Sequence, residues 1–408
     1  MAFCGGTKIT EGLTQQFQVL NGVCSSIVRL LLLVLLAGCA GQRTSSEPLM
    51  PPESFPSPAA DFNEYRERVE KHLTKVSLPH RTTSQIALNV PFEKKASPDV
   101  MYRGKFLLIH GLNDSAFVWR DMASALANRG YDVRVILLPG HGSHPRQMLE
   151  VSYKLWLSVV RQHFTLWNTD DTPIFLGGFS LGGVLATVLA LENTDVDGLL
   201  LVSPAYVSQL NSYLRWAWLY RRFRPWMFGG MILEDNPAKY NSIPINSVDQ
   251  YYRATRYLNR KWRRSLDLPV MMVLTADDSV VDIDAVRHIF ENKFSNENRL
   301  LLMYGNEGVE ARSEREIVRR SDYPELRILN QSHLSLINAP DNELMGRNGS
   351  LLVCNGNTPD VFFGCMAAQG HWFGAQHTPS PDQASVARTT YNPDFDGVLD
   401  TFDRVFNQ

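Results

Sequence analysis

The stretch Gly178-Phe179-Ser180-Leu181-Gly182 decides how this sequence of 408 residues is interpreted. It follows a short apolar run, Ile174 to Leu176, and opens a helical pattern. A serine on such a sharp strand-to-helix turn takes a strained backbone conformation that only small flanking residues tolerate. Because Gly178 and Gly182 supply that room, the pattern predicts that Ser180 presents its hydroxyl above a sheet, at the N-terminus of a helix.

Strand-like runs alternate with helical patterns on both sides of this stretch. The strand-like runs are Ile86 to Val90, Phe106 to Ile109, Val133 to Leu137, Ile174 to Leu176, Leu199 to Val202, Val270 to Leu274 and Glu325 to Leu329. The helical patterns are Asp61 to Leu73, Phe117 to Asn128, Leu181 to Glu192 and Phe395 to Phe406. This alternation predicts an α/β fold with a mainly parallel sheet flanked by helices. In such a fold, ligands bind and react in the loops at the carboxyl ends of the strands.

The alternation breaks between residues 204 and 268, which we interpret as an inserted helical cap. Tryptophans and arginines interleave there, namely Trp216, Trp218, Trp226, Arg215, Arg221, Arg222 and Arg224. Such a mixture suits a lid that covers an acyl chain or rests against phospholipid headgroups. The alternative is a cap whose aromatic residues fill its own core, and this second interpretation is favoured.

The composition excludes some classes of protein. Hydrophobic residues make up 44% of the chain and charged residues 20%, which is typical of a globular protein with a large core. Forty Lys and Arg stand against 42 Asp and Glu, and no long block of one sign gives the footprint of nucleic-acid binding. We therefore expect no nucleic-acid partner.

The N-terminus has the pattern of an export signal. Arg29 precedes an apolar run, Leu30 to Ala37, which is shorter than the about 20 residues of a membrane-spanning helix but fits the roughly 7 to 15 of a signal sequence. The end of this run, Leu36-Ala37-Gly38-Cys39, resembles the lipobox of bacterial lipoproteins, whose cysteine is acylated. The resemblance implies a signal peptide at 1–38 and a lipid anchor at Cys39 in the cell envelope, at the outer membrane. A Pro/Ser-rich tether over 39–60 and a body over 61–408 would follow.

A second motif, His110-Gly111-Leu112, directly follows the strand-like run Phe106 to Ile109. With the serine motif it resembles the α/β-hydrolase superfamily, especially its monoglyceride-lipase-like and lysophospholipase-like branch, over roughly Ile86 to Leu336. The resemblance implies that the backbone N–H groups of Leu112 and Leu181 form the oxyanion hole. It also implies that His110 orders the turn.

One further stretch, Leu138 to Ser143, is similar to a loop of the same branch. It contains the sequence Gly140-His141-Gly142, and the family's loop shapes the wall of the site without reacting. The resemblance therefore implies a structural role for His141.

The acid of the expected triad lies beyond the cap, because the family orders its triad as Ser, then Asp or Glu, then His. Thr275 to Val281 follows the strand-like run Val270 to Leu274 and is similar to the family's acid turn. Asp278 fits the register of the catalytic aspartate. Asp277 remains the alternative, and whichever of the two is unused would be a solvated turn residue.

His333 is the expected base. It ends the loop Asn330 to His333, which follows the strand-like run Glu325 to Leu329 and is similar to the family's small-residue-then-histidine signature. His288, His371 and His377 also follow the acid in the chain and stay open, although the base normally lies just beyond the last strand.

These residues predict a serine hydrolase of lipase or esterase type. Ser180 would attack an acyl ester, His333 would take its proton and Asp278 would orient the imidazole, with no metal or organic cofactor. A peptidase, thioesterase or acyltransferase on the same fold is an alternative, and so is a non-catalytic lipoprotein that binds a lipid or a partner.

Two regions depart from the family pattern: a charged stretch, Gly305 to Tyr323, and a C-terminal insertion at about 338–390. The insertion contains Cys354 and Cys365, which with Cys39 are the cysteines left once the signal is removed. Because an exported protein meets an oxidising compartment, we expect Cys354 and Cys365 to form a disulfide; two buried thiols are the alternative.

Overall fold

A computed structural model of the chain describes residues 54–78, 80–227, 236–240, 243–354, 359–379, 381 and 384–407. The predictions for the signal peptide, for Cys39 and for most of the tether lie outside these residues. The strands are β1 (Phe92–Lys94), β2 (Gly104–Ile109), β3 (Tyr131–Val135), β4 (Ile174–Phe179), β5 (Gly198–Val202), β6 (Val270–Thr275), β7 (Arg299–Tyr304), β8 (Glu316–Arg319), β9 (His371–Gly374) and β10 (Ser385–Arg388).

The α-helices surround these strands, and short 3₁₀ turns complete the connections. The helices are α1 (Phe62–Val76), α2 (Thr83–Ala87), α3 (Arg120–Ala127), α4 (Tyr153–Trp167), α5 (Leu181–Glu192), α6 (Asn211–Leu214), α7 (Ala217–Tyr220), α8 (Ile245–Lys261), α9 (Ile283–Lys293), α10 (Pro359–Ala367) and α11 (Phe395–Phe406). Within the described residues, no helix combines the length and the apolar character needed to cross a membrane.

The main sheet has eight strands in the order β1-β3-β2-β4-β5-β6-β7-β8. Only β1 runs antiparallel to its neighbour, so the predicted, mainly parallel α/β sheet is confirmed. In the register of β2 and β4, Ile109 lies beside Gly178. The two loops that carry the candidate oxyanion and nucleophile motifs therefore leave the sheet side by side.

Both faces of the sheet are covered, so that the central strands are buried along their whole length. Helices α3 and α11 bury residues such as Met122 and Phe402 on one face. The opposite face packs against α4, α5, α8 and α9, through residues such as Trp156 and Phe290. Burial on two sides explains why these strands are continuous apolar runs without polar alternation.

The folded body begins before the predicted boundary at residue 61. Phe55 lies in the stretch predicted as tether, yet it is buried in a small core with Phe62, Tyr65 and Leu73 of α1. Asp61 caps α1 by accepting the N–H of Asn63, as an N-terminal aspartate does.

Two predicted strands are wrong. Ile86 to Val90 overlaps helix α2, where Thr82 and Gln85 form a capping box. Glu325 to Leu329 overlaps a 3₁₀ turn, Pro324–Leu326, which is followed by Arg327 at φ 56°, and this residue turns the chain out of extended geometry. The last strands of the main sheet are β7 and β8, and β8 lies inside the charged stretch that departs from the family pattern.

The cap and the C-terminal insertion both have structure of their own. Helices α6, α7 and α8 fall in the predicted cap, residues 204–268. The insertion contains α10 and the two-stranded parallel sheet of β9 and β10. Cys354 and Cys365 form the expected disulfide, with 5.8 Å between their Cα atoms.

Candidate active site

Ser180 occupies the turn between β4 and α5 in a strained backbone conformation. Its φ is 54° and its ψ is −114°, a combination that disfavours residues with a side chain. Hydrogen bonds fix the turn: the Ser180 N–H donates to the Val202 carbonyl at 3.0 Å, and the Ala205 N–H donates to the Ser180 carbonyl at 3.1 Å. The neighbouring strand therefore sustains the strain at the serine.

Three glycines make this turn possible. A Cβ added at Gly178 would lie 2.5 Å from the Gly182 carbonyl oxygen, and one at Gly182 would overlap the carbonyl group of Ile109. A Cβ at Gly183, which the motif does not specify, would lie 2.7 Å from Pro204 Cβ. The helix can thus begin directly beneath the serine because no side chains separate α5 from its neighbours.

His333 and Asp278 form a buried pair beside the serine turn. His333 Nδ1 lies 2.6 Å from Asp278 Oδ2, and the two side chains are almost fully shielded from solvent. The His333 ring lies 5.0 Å, between centroids, from the ring of Phe179, the residue before Ser180. The structure thus brings the three predicted triad residues into one region at the carboxyl end of the sheet.

The pair has the electrostatics of an ionised carboxylate that orients an imidazole. Burial alone raises the pKa of Asp278, but the adjacent His333 and the backbone N–H groups of Val281 and Val280 outweigh it and hold this pKa below its usual value. Both N–H groups donate to Oδ1, at 3.0 and 2.8 Å, so that Oδ2 is left for His333.

Asp277 has a different environment from Asp278. It is half-buried, and burial raises the pKa of its carboxyl while hydrogen bonds from the side chains of Asn330 and Ser321 lower it. Asp278 is therefore the aspartate that contacts the imidazole, and Asp277 is a hydrogen-bonded residue of the same turn and not the solvated one expected from the sequence.

None of the other candidate histidines forms a hydrogen bond with Asp278 among the described residues. His288 lies on α9 and contacts the side chain of Asn292, one turn along the helix. His371 is in β9, with Nε2 2.8 Å from the Cys365 carbonyl oxygen. His377 is exposed, in a turn with φ 66°. Residues 325–329 do not form the strand predicted before His333, yet His333 is the histidine that meets Asp278.

The two residues expected to form the oxyanion hole, Leu112 and Leu181, lie in segments next to Ser180. Leu181 is the first residue of α5, and the first N–H groups of a helix have no acceptor within it. A Cβ added at Gly111 would lie 3.1 Å from Ser180 Cβ, so the loop that carries Leu112 runs against the serine. Asn113, at φ 62°, then turns the chain away.

His110 and His141 are buried in the loops that frame the site. The Leu138 N–H donates to His110 Nε2 at 3.0 Å, while His110 Nδ1 lies 2.8 Å from the Gly111 carbonyl oxygen. Burial lowers the pKa of His110 to about 4 and that of His141 well below its usual value. With both nitrogens engaged, the neutral His110 ties together the loops after β2 and β3, in agreement with the structural role expected for it.

Two of the three tryptophans that interleave with arginines in the cap are exposed, contrary to the favoured interpretation that they fill its core, whereas Trp226 is half-buried. Trp216 and Trp218 are 46% and 40% exposed, and Tyr213 and Phe223 reach 72% and 66%. We call these four residues the aromatic surface of the cap. Arginines flank it: the Arg215 guanidinium lies 5.4 Å from the Trp216 ring centroid, and that of Arg222 lies 5.9 Å from Trp218.

A comparison with known protein families agrees with the fold described above. The sequence model of a family described as alpha/beta hydrolase fold matches residues 105–307, from β2 to just beyond β7. The chain has the α/β-hydrolase fold. The matched range includes Ser180 and Asp278, whereas His333 lies beyond it, between the charged stretch and the C-terminal insertion.

Similar proteins include lipases. The chain is 31% identical, over 99 residues, to a thermostable monoacylglycerol lipase of Bacillus sp. (strain H-257); the match covers 24% of this chain and 40% of that enzyme's length. Among solved structures, a soluble variant of monoglyceride lipase from Saccharomyces cerevisiae is 14% identical, covering 53% of this chain and 82% of that one, with a TM-score of 0.44. The Paleococcus ferrophilus monoacylglycerol lipase is 17% identical, covering 53% and 88%, with a TM-score of 0.43.

Proposed function

We propose that this α/β hydrolase is a serine hydrolase that cleaves carboxylic esters through an acyl-enzyme. The observation that carries the proposal is the buried Asp278–His333 pair next to a serine in strained backbone geometry. Strain is retained in folded proteins where a function requires it, and a desolvated carboxylate–imidazole pair is the usual device for activating a hydroxyl. The similarity to monoacylglycerol lipase supports an ester of a fatty acyl chain as substrate.

The chemistry follows from the roles of the three side chains. Ser180 Oγ attacks the acyl carbon while its proton passes to His333 Nε2, and the carbonyl oxygen, now negative, accepts hydrogen bonds from the N–H groups of Leu112 and Leu181. The alcohol departs with the proton from His333. Water then attacks the acyl-enzyme, in which the acyl group is esterified to Ser180, and His333 takes a proton from the water. The carboxylic acid is released as this proton returns to Ser180 Oγ.

The decisive experiment is labelling with a fluorophosphonate probe, which reacts with activated serines. Wild-type protein and Ser158→Ala, a control that removes a serine on α4, should be labelled equally, and Ser180→Ala should not be labelled. A folded wild-type protein that resists the probe would refute the proposal. Initial rates on matched acyl esters, thioesters and amides, with and without an added alcohol as acceptor, would then separate an esterase from a thioesterase, peptidase or acyltransferase.

We further propose that the protein works at a membrane, held there by a lipid on Cys39. The support is the lipobox-like sequence before Cys39 and the aromatic surface of the cap, because exposed tryptophans among arginines favour the boundary between headgroups and acyl chains. Metabolic incorporation of a clickable palmitate analogue, followed by membrane fractionation, tests the anchor. Cys39→Ser should abolish the label and release the protein, and Cys354→Ser should do neither.

A further inference from the structure

The C-terminal insertion, residues 338–390, pairs with the loop that carries His333. We call residues 327–334 the base loop. The Leu329 N–H donates to the Phe373 carbonyl at 2.7 Å, and the Phe373 N–H donates to the Arg327 carbonyl at 2.8 Å. These two bonds give the base loop a strand-like partner that the main sheet does not supply, because β8 ends at Arg319.

Asn330 connects the base loop to the insertion, and its neighbour Gln331 contacts the acid turn. Its side chain is buried, and its Oδ1 accepts hydrogen bonds from the Ala375 N–H at 2.7 Å and from Thr378 Oγ1 at 3.2 Å. The acid turn contacts the same loop one residue further on, because Thr275 Oγ1 donates to the Gln331 carbonyl at 3.3 Å. Asn330 and Gln331 thus lie between the insertion and the turn that carries Asp278.

Thr389 holds the same loop from the opposite side. Its side chain is fully buried, and its Oγ1 donates to the Asn330 carbonyl at 2.8 Å. Its own carbonyl accepts a hydrogen bond from Ser332 Oγ at 2.7 Å. Ser332 directly precedes His333, so Thr389 fixes the main chain on the N-terminal side of the candidate base.

The disulfide supports the strands that make these contacts. Cys354 and Cys365 pack in one cluster with Phe373 of β9 and Ala387 of β10. The Arg388 N–H, at the end of β10, donates to the carbonyl of Val353, next to Cys354, at 2.8 Å. A continuous series of contacts therefore runs from the disulfide through β9 and β10 to Asn330 and Ser332.

We propose that Asn330 and Thr389 are positioning residues, through which the insertion holds His333 at the geometry needed for proton transfer. The inference rests on the proposed function, since it assigns the insertion a part in the same reaction. A general base has to be held within a fraction of an ångström of its productive position, and a loop outside regular structure does not supply that rigidity by itself. Here the insertion supplies it by six hydrogen bonds from one segment.

The test compares Thr389→Val with Thr389→Ser on a soluble p-nitrophenyl ester. Valine keeps the shape but loses the hydroxyl that donates to Asn330, so kcat should fall about tenfold with KM within about twofold, in line with the loss of one buried hydrogen bond. Serine restores the donor and should recover kcat to within about threefold of wild type. The matched control is Thr401→Val, which removes a buried hydroxyl that binds the Gly397 carbonyl within α11.

The proposal is overturned if Thr389→Val, folded by circular dichroism, loses no more kcat than Thr401→Val, or if serine fails to rescue it. If the valine variant does not fold, Ser332→Ala removes the bond to Thr389 from the other side and is judged by the same comparison. A wild type that turns over no ester contradicts the proposed function instead. The low-field NMR signal of the His333 Nδ1 proton then decides the positioning: faster exchange with water in Thr389→Val supports it, and unchanged exchange overturns it.

Discussion

The Asp278 carboxylate divides its two oxygens between the main chain and the imidazole of His333. Oδ1 accepts hydrogen bonds from the N–H groups of Val280 and Val281, and Oδ2 lies 2.6 Å from His333 Nδ1. An ionised carboxylate can only accept hydrogen bonds, so Nδ1 carries the proton and Nε2 keeps the lone pair. The acid turn thereby selects the tautomer of His333 that can take a proton from Ser180.

Replacing Asp278 by Asn should therefore lower kcat/KM about 10³- to 10⁴-fold with little change in fold, because an amide can donate to Nδ1 and so favours the wrong tautomer. The measurement is the rate of ester hydrolysis together with the rate of fluorophosphonate labelling. Asp277→Asn is the matched control and should cost less than about tenfold, since Asp277 does not contact the imidazole. Equal losses in the two variants would show that the whole turn, and not the Asp278 carboxylate, matters.

The sequence predicts the parts of the site that follow from local geometry. The elbow at Ser180 and helix α5 are specified by adjacent residues, because steric limits on a strand-to-helix turn act over a few positions. The burial of apolar strands in a parallel sheet is predictable for the same reason. The register of the acid turn also identifies the aspartate that meets His333.

The sequence does not predict contacts between distant segments. Asn330 meets Ala375 and Thr389, which lie 45 and 59 residues further along, and no spacing rule signals such a bond. Glu325 to Leu329 has the apolar residues of a strand but follows a proline and turns at Arg327. Similarly, the mixture of tryptophans and arginines in the cap fits both a buried and an exposed aromatic surface, so the sequence does not decide whether Trp216 is exposed.

Substitution of a glycine in the turn around Ser180 should lower the stability of the fold. Gly182→Ala should cost about 3 kcal/mol or more, since the new methyl group overlaps the backbone carbonyls of Ile109 and His110, neither of which can move without disturbing β2. Gly364→Ala, in α10, meets no atom within 4 Å and should be neutral or stabilising by up to about 1 kcal/mol. Urea unfolding of both variants measures the difference. A Gly182→Ala protein as stable as wild type would contradict the packing described at the serine.

Stability should fall in mild acid because of His163. This residue of α4 is buried against Tyr65, with ring centroids 4.6 Å apart, and neither ring nitrogen has a hydrogen-bond partner among the described residues. Burial, and then the charge of Arg134, lowers the pKa of His163 to about 3. The unfolded chain takes up a proton near pH 6.5 whereas the folded chain does not, so the stability present above pH 6.5 is lost progressively as the pH falls towards 3.

His163→Phe removes this proton uptake and keeps the aromatic packing. Between pH 7.5 and 5.0 the wild type should lose about 2 kcal/mol more stability than the variant, the work of binding one proton in the unfolded state. Urea unfolding at the two pH values gives both losses directly. If the two proteins lose the same amount, the folded state accepts a proton at His163 and the burial argument is wrong.

The aromatic surface of the cap should matter for substrate in a membrane and not for substrate in water. Joint replacement of Trp216 and Trp218 by Ala removes two exposed rings from that surface, and the loss of their burial at the interface should lower activity on esters in anionic phospholipid vesicles about tenfold or more. Activity on a soluble short-chain ester should stay within about twofold, because neither ring supports the core of the cap. Phe363→Ala, which removes an exposed ring on α10, is the control and should affect neither assay. Losses by the same factor in both assays would mean that the tryptophans act on the site itself, and the cap would then have no part in binding the membrane.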